Sequence, residues 1–599
     1  MTLYKSSAMQ LRKLILLYIL LGFALQFFGA YSVHTFQRLL DSIPSSTGLG
    51  QMGGPLLLYG ATLAICALLS YAAEYPETAL PRSLMEKLKL AALSRISRMD
   101  YQAYRNLGTG ELIQTIENGA HAGTGIVHRF YLRIFYELLP AMLFSMLFIG
   151  LYSPTILLVV AGGYVIVFVV TRLLLRYLYA VKESLLANQE KLSRYSVRGF
   201  MELVVFRLNR RYKREIDKLN GTVDDIVRQN VQIRMVHESF FTLFEILVIL
   251  IKLAVLALGI RDVAAGHSTI GVTLALLLLI DKVYSPIAIF NVLYVDFKLD
   301  KLTYDRFERY MNAPSDPNLE QGTPVTQLRG EIVFDQVSFG YGEKAGSVTS
   351  ESKDAAGDDS SREVAGSLLL RDVSFTIPAG ASVAIVGLSG SGKSTLVKLM
   401  LGLLKKDSGH LTLDGIDIDK LHLDSLYAHL SYISQDAPVF DDTLRGNLVF
   451  DEKAEDEQLM TILDDVLLGD KVRSLPEGLD TPVGERGMKL SGGEKQRLAF
   501  ARVLAQGREM VILDEPVSAL DNITERRIME LVLERFHDRT LIIVAHRLHA
   551  IRSVDCILLM RGGQLIDQGR FDELLERSAY FRELWSKDGA EREAGECVS

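Results

Sequence analysis

The segment GLSGSGKST, running from Gly387 to Thr395, constrains this chain more than any other. It follows an apolar run, Ser382–Val386 (SVAIV), and leads into a helical pattern, LVKLMLGLL. Strand, glycine-rich loop and helix in that order make a phosphate-binding loop. Gly387, Gly390 and Gly392 let backbone amides turn toward phosphate oxygens, and the helix N-terminus adds partial positive charge. Leu388, Ser389, Ser391 and Thr395 complete the cradle. Lys393 is expected to reach the β- and γ-phosphates, and Ser394 to hold Mg²⁺. The chain is therefore expected to bind a nucleoside triphosphate.

Two further apolar runs point at the same place. Met510–Leu513 (MVIL) runs into Asp514 and Glu515, and Leu541–Ala545 (LIIVA) runs into His546. Short continuous apolar runs suit strands buried on both faces of a parallel sheet. Ligands of such sheets bind at the carboxyl ends of the strands, where Lys393, Asp514, Glu515 and His546 fall. Asp514 suits the surroundings of Mg²⁺, and Glu515 is placed to orient or deprotonate an attacking water. His546 is expected to contact the γ-phosphate. Taken singly, each reads as a strand-end cap; together they read as a hydrolytic site.

Between these runs, Leu490–Arg497 (LSGGEKQR) opens another helix, and a serine with two glycines at a helix N-terminus forms a second anion site. Here the sequence resembles the ATP-binding cassette (ABC) transporters across its whole nucleotide-binding half. Ser491, Gly492, Gly493 and Glu494 match the family's signature loop, Gln435 its Q-loop, and Ser518–Asp521 (SALD) its D-loop. Tyr341 matches the aromatic that stacks on adenine, and Gly484–Gly487 (GERG) an element of exporter-fold members. The resemblance implies that two nucleotide domains sandwich two ATP molecules, each between one domain's phosphate loop and the other's signature loop. It also implies that Gln435 serves catalysis and the metal, and that Asp521 lines the site.

The N-terminal half differs in kind. Apolar windows of about 20 residues, the length that crosses a bilayer, lie at Leu14–Val33, Pro55–Tyr75, Phe135–Tyr152, Thr155–Leu175, Phe240–Ile260 and Ile270–Leu293. Long hydrophilic stretches, Arg82–Arg133 and Arg176–Glu238, are rich in Lys and Arg, and Lys5, Arg12 and Lys13 precede the first window. The positive-inside rule puts both termini and both stretches in the cytoplasm. The first window lacks a small-residue cleavage site after it and reads as a retained span. Helical patterning continues through the long stretches, with breaks near Leu107–Gly110 and Asn220–Gly221; the pattern resembles the exporter-fold membrane domain, which implies coupling helices, expected near Tyr104–Leu112 and Phe200–Arg210. Glu74, Glu245, Lys252 and Asp281 lie in or beside the spans and are candidates either for interhelical pairing or for a solute path.

The expected architecture is a multi-domain membrane protein: an all-α six-helix domain (1–320), then an α/β phosphate-loop ATPase domain (331–587). A proline-interrupted linker, Asn312–Thr323, joins them. Residues 342–367 read as a disordered insertion and 588–599 as a polar tail. A net charge of −7 over 599 residues says little about partners. Cys66, Cys556 and Cys597 show neither a disulfide framework nor zinc spacing. Six spans exclude the soluble nucleic-acid-acting relatives of the cassette. The expected function is ATP-driven solute movement across the cell membrane, most simply export, by a homodimer or a heterodimer with a related chain. Import of a metal–chelator complex and an ATP-gated regulator are the alternatives.

Overall fold

The computed structural model describes residues 3–43, 49–106, 109–166, 169, 207–210, 212–341, 368–450, 454–484, 487–517, 519–545 and 547–596. His546, Ser518, the 342–367 insertion, most of the second expected coupling helix and the end of the fourth window lie outside them. Two units emerge: residues 1–97 with 106–313, and residues 98–105 with 314–599.

In the first unit the apolar windows sit within long helices. Among the described residues five are long and apolar enough to cross a membrane, within Arg12–Ser42, Met52–Ile96, Leu112–Tyr152, Asn220–Ala264 and Ile270–Met311. Pro154–Ile166 is a shorter apolar helix at the start of the fourth window. The chain is a multi-pass membrane protein. The Tyr212–Ala264 helix has 53 residues, about 80 Å at 1.5 Å per residue, against roughly 30 Å of hydrocarbon. It runs straight through Asn220–Gly221, where the sequence suggested a break. A glycine costs only about 1 kcal/mol in a helix interior, too little to stop one propagating on both sides.

Close packing in this unit depends on absent side chains. A Cβ on Gly22 would lie 2.4 Å from Tyr136, and one on Gly119 would lie 2.2 Å from Phe307. The Gly22 gap lets the Tyr18 and Tyr136 rings stack with centroids 4.1 Å apart. The third span is π-helical over Gly125–Leu132 and Ile134–Leu138.

Of the four ionisable groups singled out in the spans, two meet each other. Lys252 Nζ lies 2.6 Å from Asp281 Oδ1, joining the last two membrane helices, while Glu74 and Glu245 are exposed on the chain. A lone charge costs about 2.5–3.5 kcal/mol at a helix centre on insertion scales, so each should need the other. Lys252→Met and Asp281→Asn are expected to lower the thermal midpoint of the detergent-solubilised protein individually, and the double variant to recover most of the loss. Additive losses would show that the pair contributes nothing.

Among the described residues the second unit has ten strands: β1 (Ile332–Phe339), β2 (Leu370–Ile377), β3 (Ser382–Val386), β4 (Ser408–Leu413), β5 (Ile416–Asp417), β6 (Leu430–Ile433), β7 (Met510–Asp514), β8 (Thr540–Val544), β9 (Cys556–Arg561) and β10 (Gln564–Gly569). One sheet has the order β2-β1-β4-β5, the other β10-β9-β3-β8-β7-β6. In the larger sheet β9, β3, β8, β7 and β6 are parallel and only β10 is antiparallel. Alternation along each buried strand divides the core in two. Ala384, Val386, Val511, Leu513, Leu541 and Ile543 face one layer. Val383, Ile385, Met510, Ile512, Ile542 and Val544 face the other. Continuous apolar runs were the sequence's sign of this two-sided burial.

Residues 98–105 group with the nucleotide unit although they lie between two membrane helices in the chain. Met99 bridges to Ser315, and the Asp100 N–H donates to Pro314 O at 2.9 Å. Asp100 Oδ1 accepts from the Gln102 and Ala103 amides at 3.0 and 3.2 Å, starting a helix at Tyr101–Asn106. The helix therefore begins three residues earlier than the expected Tyr104, because an aspartate cap sets its start.

Candidate functional site

The phosphate loop leaves β3 at Val386 and enters a helix at Lys393–Met400. Its first glycine is sterically required, since a Cβ on Gly387 would lie 2.3 Å from Met560 O. Gly390 and Gly392 take φ of 80° and 103°, a region that favours glycine. Lys393 is buried, and its Nζ donates to Gly387 O at 2.8 Å and Leu388 O at 3.1 Å. Burial lowers its pKa, while Glu515 and Asp514 pull it back up less strongly. Both carboxylates are thus within electrostatic reach of the loop's cation. Ser391 Oγ is buried with no hydrogen-bond partner among the described residues, a polar atom that a phosphate ligand would satisfy.

Asp514 is buried at the end of β7. Glu515, the next residue, is half-buried with φ 52°, a left-handed conformation unusual for a side chain with a Cβ. Its N–H donates to Val544 O at 3.1 Å, which anchors the turn to β8. Strain of this kind concentrates at functional positions. Gln435, just beyond β6, donates from Nε2 to Glu515 Oε2 at 2.8 Å. β8 lies between β3 and β7, so Lys393 and Glu515 stand at the ends of strands that are not neighbours. His546 would follow β8 and lies outside the described residues. Ser394, Asp514 and Gln435 offer hard oxygen donors of the sort Mg²⁺ takes together with substrate phosphates, so the residues fit that ion.

Ser491 caps the Gly492–Gln506 helix in a reciprocal capping box: Glu494 Oε2 accepts from Ser491 N at 2.8 Å, and Ser491 Oγ accepts from Glu494 N at 3.4 Å. Glu494 also pairs with Lys471 at 2.6 Å. Burial would raise the Glu494 pKa, but Lys471 and the Ser491 donors outweigh it and hold the carboxyl low. Its carboxylate is committed to shaping the signature turn, leaving Ser491, Gly492 and Gly493 to present that turn. Asp521 is likewise a cap, accepting from Ile523 N at 3.2 Å and Thr524 N at 3.0 Å at the start of Asn522–Arg535.

Some supporting contacts carried no signal in the sequence. Gln496 Oε1 accepts from Ala519 N at 2.9 Å, tying the signature helix to the D-loop. Arg547 bonds Leu520 O at 3.4 Å and pairs with Glu525, linking the segment after β8 to the same loop. Tyr580 OH accepts from Leu388 N at 3.5 Å, bringing the C-terminal Ala579–Glu596 helix to the phosphate loop. These contacts span 22 to 192 residues, beyond any local pattern. Tyr341, just past β1, has a partly exposed ring with Phe339 edge-on at 5.0 Å.

Residues 370–518 match the family described as "ABC transporter". The fold matches the solved "Structure of a bacterial Atm1-family ABC exporter with ATP bound" with a TM-score of 0.81 at 22% identity, covering 96% of this chain and 98% of that one. Residues 370–518 are therefore an ABC transporter nucleotide-binding domain, in a chain with the ABC exporter fold. Among curated proteins, the chain is 33% identical over 335 residues to "Iron-sulfur clusters transporter ATM1, mitochondrial" of Candida glabrata, covering 55% of the chain and 43% of the relative. It is 32% identical over 337 residues to "ATP-dependent lipid A-core flippase" of Bordetella avium, covering 56% and 53%. The chain thus spans about half the length of the curated relatives it matches. The ABC transporter match over residues 370–518 implies that this domain binds ATP.

Proposed function

We propose that this chain is an ABC half-transporter that hydrolyses ATP to drive a solute out of the cytoplasm across the cell membrane, with both termini cytoplasmic. The observation that carries the reading is the Gln435–Glu515 hydrogen bond at the end of β7, in the same sheet as β3, the strand that leads into the phosphate loop. That bond orients the carboxylate read as the general base, and a pure ATP-gated switch would tolerate its loss. In this reading Lys393 and the loop amides bind the phosphates, and Ser394, Asp514 and Gln435 hold Mg²⁺, which neutralises charge on the phosphates when bound. Glu515 then orients and deprotonates the attacking water, His546 contacts the γ-phosphate, and Tyr341 stacks on adenine.

One cassette supplies one phosphate loop and one signature loop, so the working unit is a dimer, of identical chains or with a related one. The relatives' printed names cover iron–sulfur clusters and lipid A-core, so they do not single out one cargo. Exposed Glu74 and Glu245 are the remaining candidates for the solute path, the Lys252–Asp281 pair bracing it.

The test uses inside-out vesicles carrying the chain, incubated in a small-molecule cytosolic extract with and without ATP, with mass spectrometry of the lumen. ATP-dependent enrichment of a solute, absent with Glu515→Gln, supports export. Depletion of preloaded solutes instead would mean import, and ATP hydrolysis with no change in any solute would overturn transport. Neutral replacement of Glu74 or Glu245 is expected to alter the uptake of that solute more than basal ATPase. Unchanged uptake in both variants would remove them from the path.

A further inference from the structure

We propose that Arg105 is a base-recognition residue of the nucleotide site, lying on one face of Tyr341 while adenine takes the other. The inference rests on the reading of Tyr341 as the adenine-stacking residue and goes beyond it by assigning the second partner of that ring. Arg105 Cζ lies 5.0 Å from the Tyr341 ring centroid, within cation–π range. Phe339 meets the ring edge-on at 5.0 Å. With one ring face and one edge engaged, Tyr341 is still 43% exposed as a residue, which leaves room for a flat ligand beside it.

Arg105 is held there by more than its own contact. The Tyr101–Asn106 helix that carries it is fixed at its start by the Asp100 cap and by the pairing of residues 98–100 with 314–316. Arg98 and Glu320 add an ion pair at 2.9 Å. Tyr101 packs against the core layer beneath β1 and β3, and Lys398 of the phosphate-loop helix lies 6.0 Å over its ring. One short segment therefore touches both the ring expected to meet the base and the helix that begins at Lys393.

The chemistry favours a sandwich. A cation on one face of an aromatic ring draws its electron density toward that face, which lets the other face stack better on an electron-rich purine. A guanidinium is suited to this because it is planar, weakly hydrated and stacks flat, whereas an ammonium is a compact hydrated charge. In the chain, residues 98–105 sit between the Leu49–Ile96 and Thr109–Thr124 helices of the membrane unit.

The experiment uses the full chain in lipid nanodiscs and measures competition by ATP and by inorganic tripolyphosphate against a trinitrophenyl-ATP probe. Arg105→Ala is expected to weaken ATP about two- to five-fold, the size of an exposed cation–π contact, and to leave tripolyphosphate unchanged. Arg105→Lys should fall between Arg105→Ala and the parent, and serves if the alanine variant is poorly folded. In a Tyr341→Ala background, Arg105→Ala should have no further effect. An equal loss for both competitors would mean that Arg105 acts as a diffuse charge and would overturn the proposal, as would unchanged ATP affinity. If Tyr341→Ala itself left ATP affinity intact, the underlying reading of Tyr341 would fall. If Tyr341→Ala weakened ATP but Arg105→Ala did not, only the Arg105 inference would fall.

Discussion

Glu515→Gln is expected to lower ATP turnover about 10²–10⁴-fold, the usual contribution of a general base, while leaving ATP affinity nearly unchanged. The substitution is close to isosteric. Gln435 donates to Glu515 Oε2, and a glutamine at 515 still offers a carbonyl oxygen to accept that bond. The left-handed backbone at 515 and its N–H bond to Val544 O do not depend on the side-chain charge. What is lost is the ability to take a proton. The variant should therefore bind ATP and stall with it, and size-exclusion chromatography in Mg²⁺ and ATP should show a more persistent dimer than the parent. Phosphate release measured alongside nucleotide affinity separates the two effects. Turnover within about threefold of the parent would show that the base lies elsewhere.

Lys393→Ala should act on the other parameter. Hydrogen bonds to charged groups contribute about 1.5–3 kcal/mol each, so removing one or two phosphate contacts predicts a loss of roughly 10- to 100-fold or more in ATP affinity. The structure adds a second cost. Lys393 donates to Gly387 O and Leu388 O, and alanine leaves both loop carbonyls without that donor. The loop itself should loosen, visible as faster hydrogen exchange over residues 387–395. Equal ATP affinity in the variant and the parent would rule out Lys393 as the phosphate-binding cation. The two variants together make a dissociation: Glu515→Gln reduces turnover with binding kept, and Lys393→Ala reduces binding first.

What could be read from residues alone was chemistry carried by short segments. The phosphate loop was legible because its glycines, lysine and serine must be contiguous for backbone amides to converge on one anion. The strands β3, β7 and β8 were legible because burial on both faces demands unbroken apolar runs, and the observed ranges agree with those runs to within a residue or two. The membrane helices followed from window length. Helix ends and breaks were less legible. Asn220–Gly221 looks like a break by residue type but costs too little to interrupt a 53-residue helix, and the start at Tyr101 depended on a single cap.

The sequence by itself determined the cassette, the class of ligand and the presence of membrane spans, because each is carried by short contiguous segments. Only the tertiary structure decided which groups act on one another. Gln435 meets Glu515 across 80 residues, and Tyr580 reaches Leu388 across 192. Lys252 finds Asp281, turning two apparent path residues into one interhelical pair. Residues 98–105 join the nucleotide unit rather than the membrane helices on either side of them. The physical reason is common to all four. A hydrogen bond, ion pair or stacked ring needs atoms within a few ångströms, and separation along the chain says nothing about that distance once helices and sheets have packed.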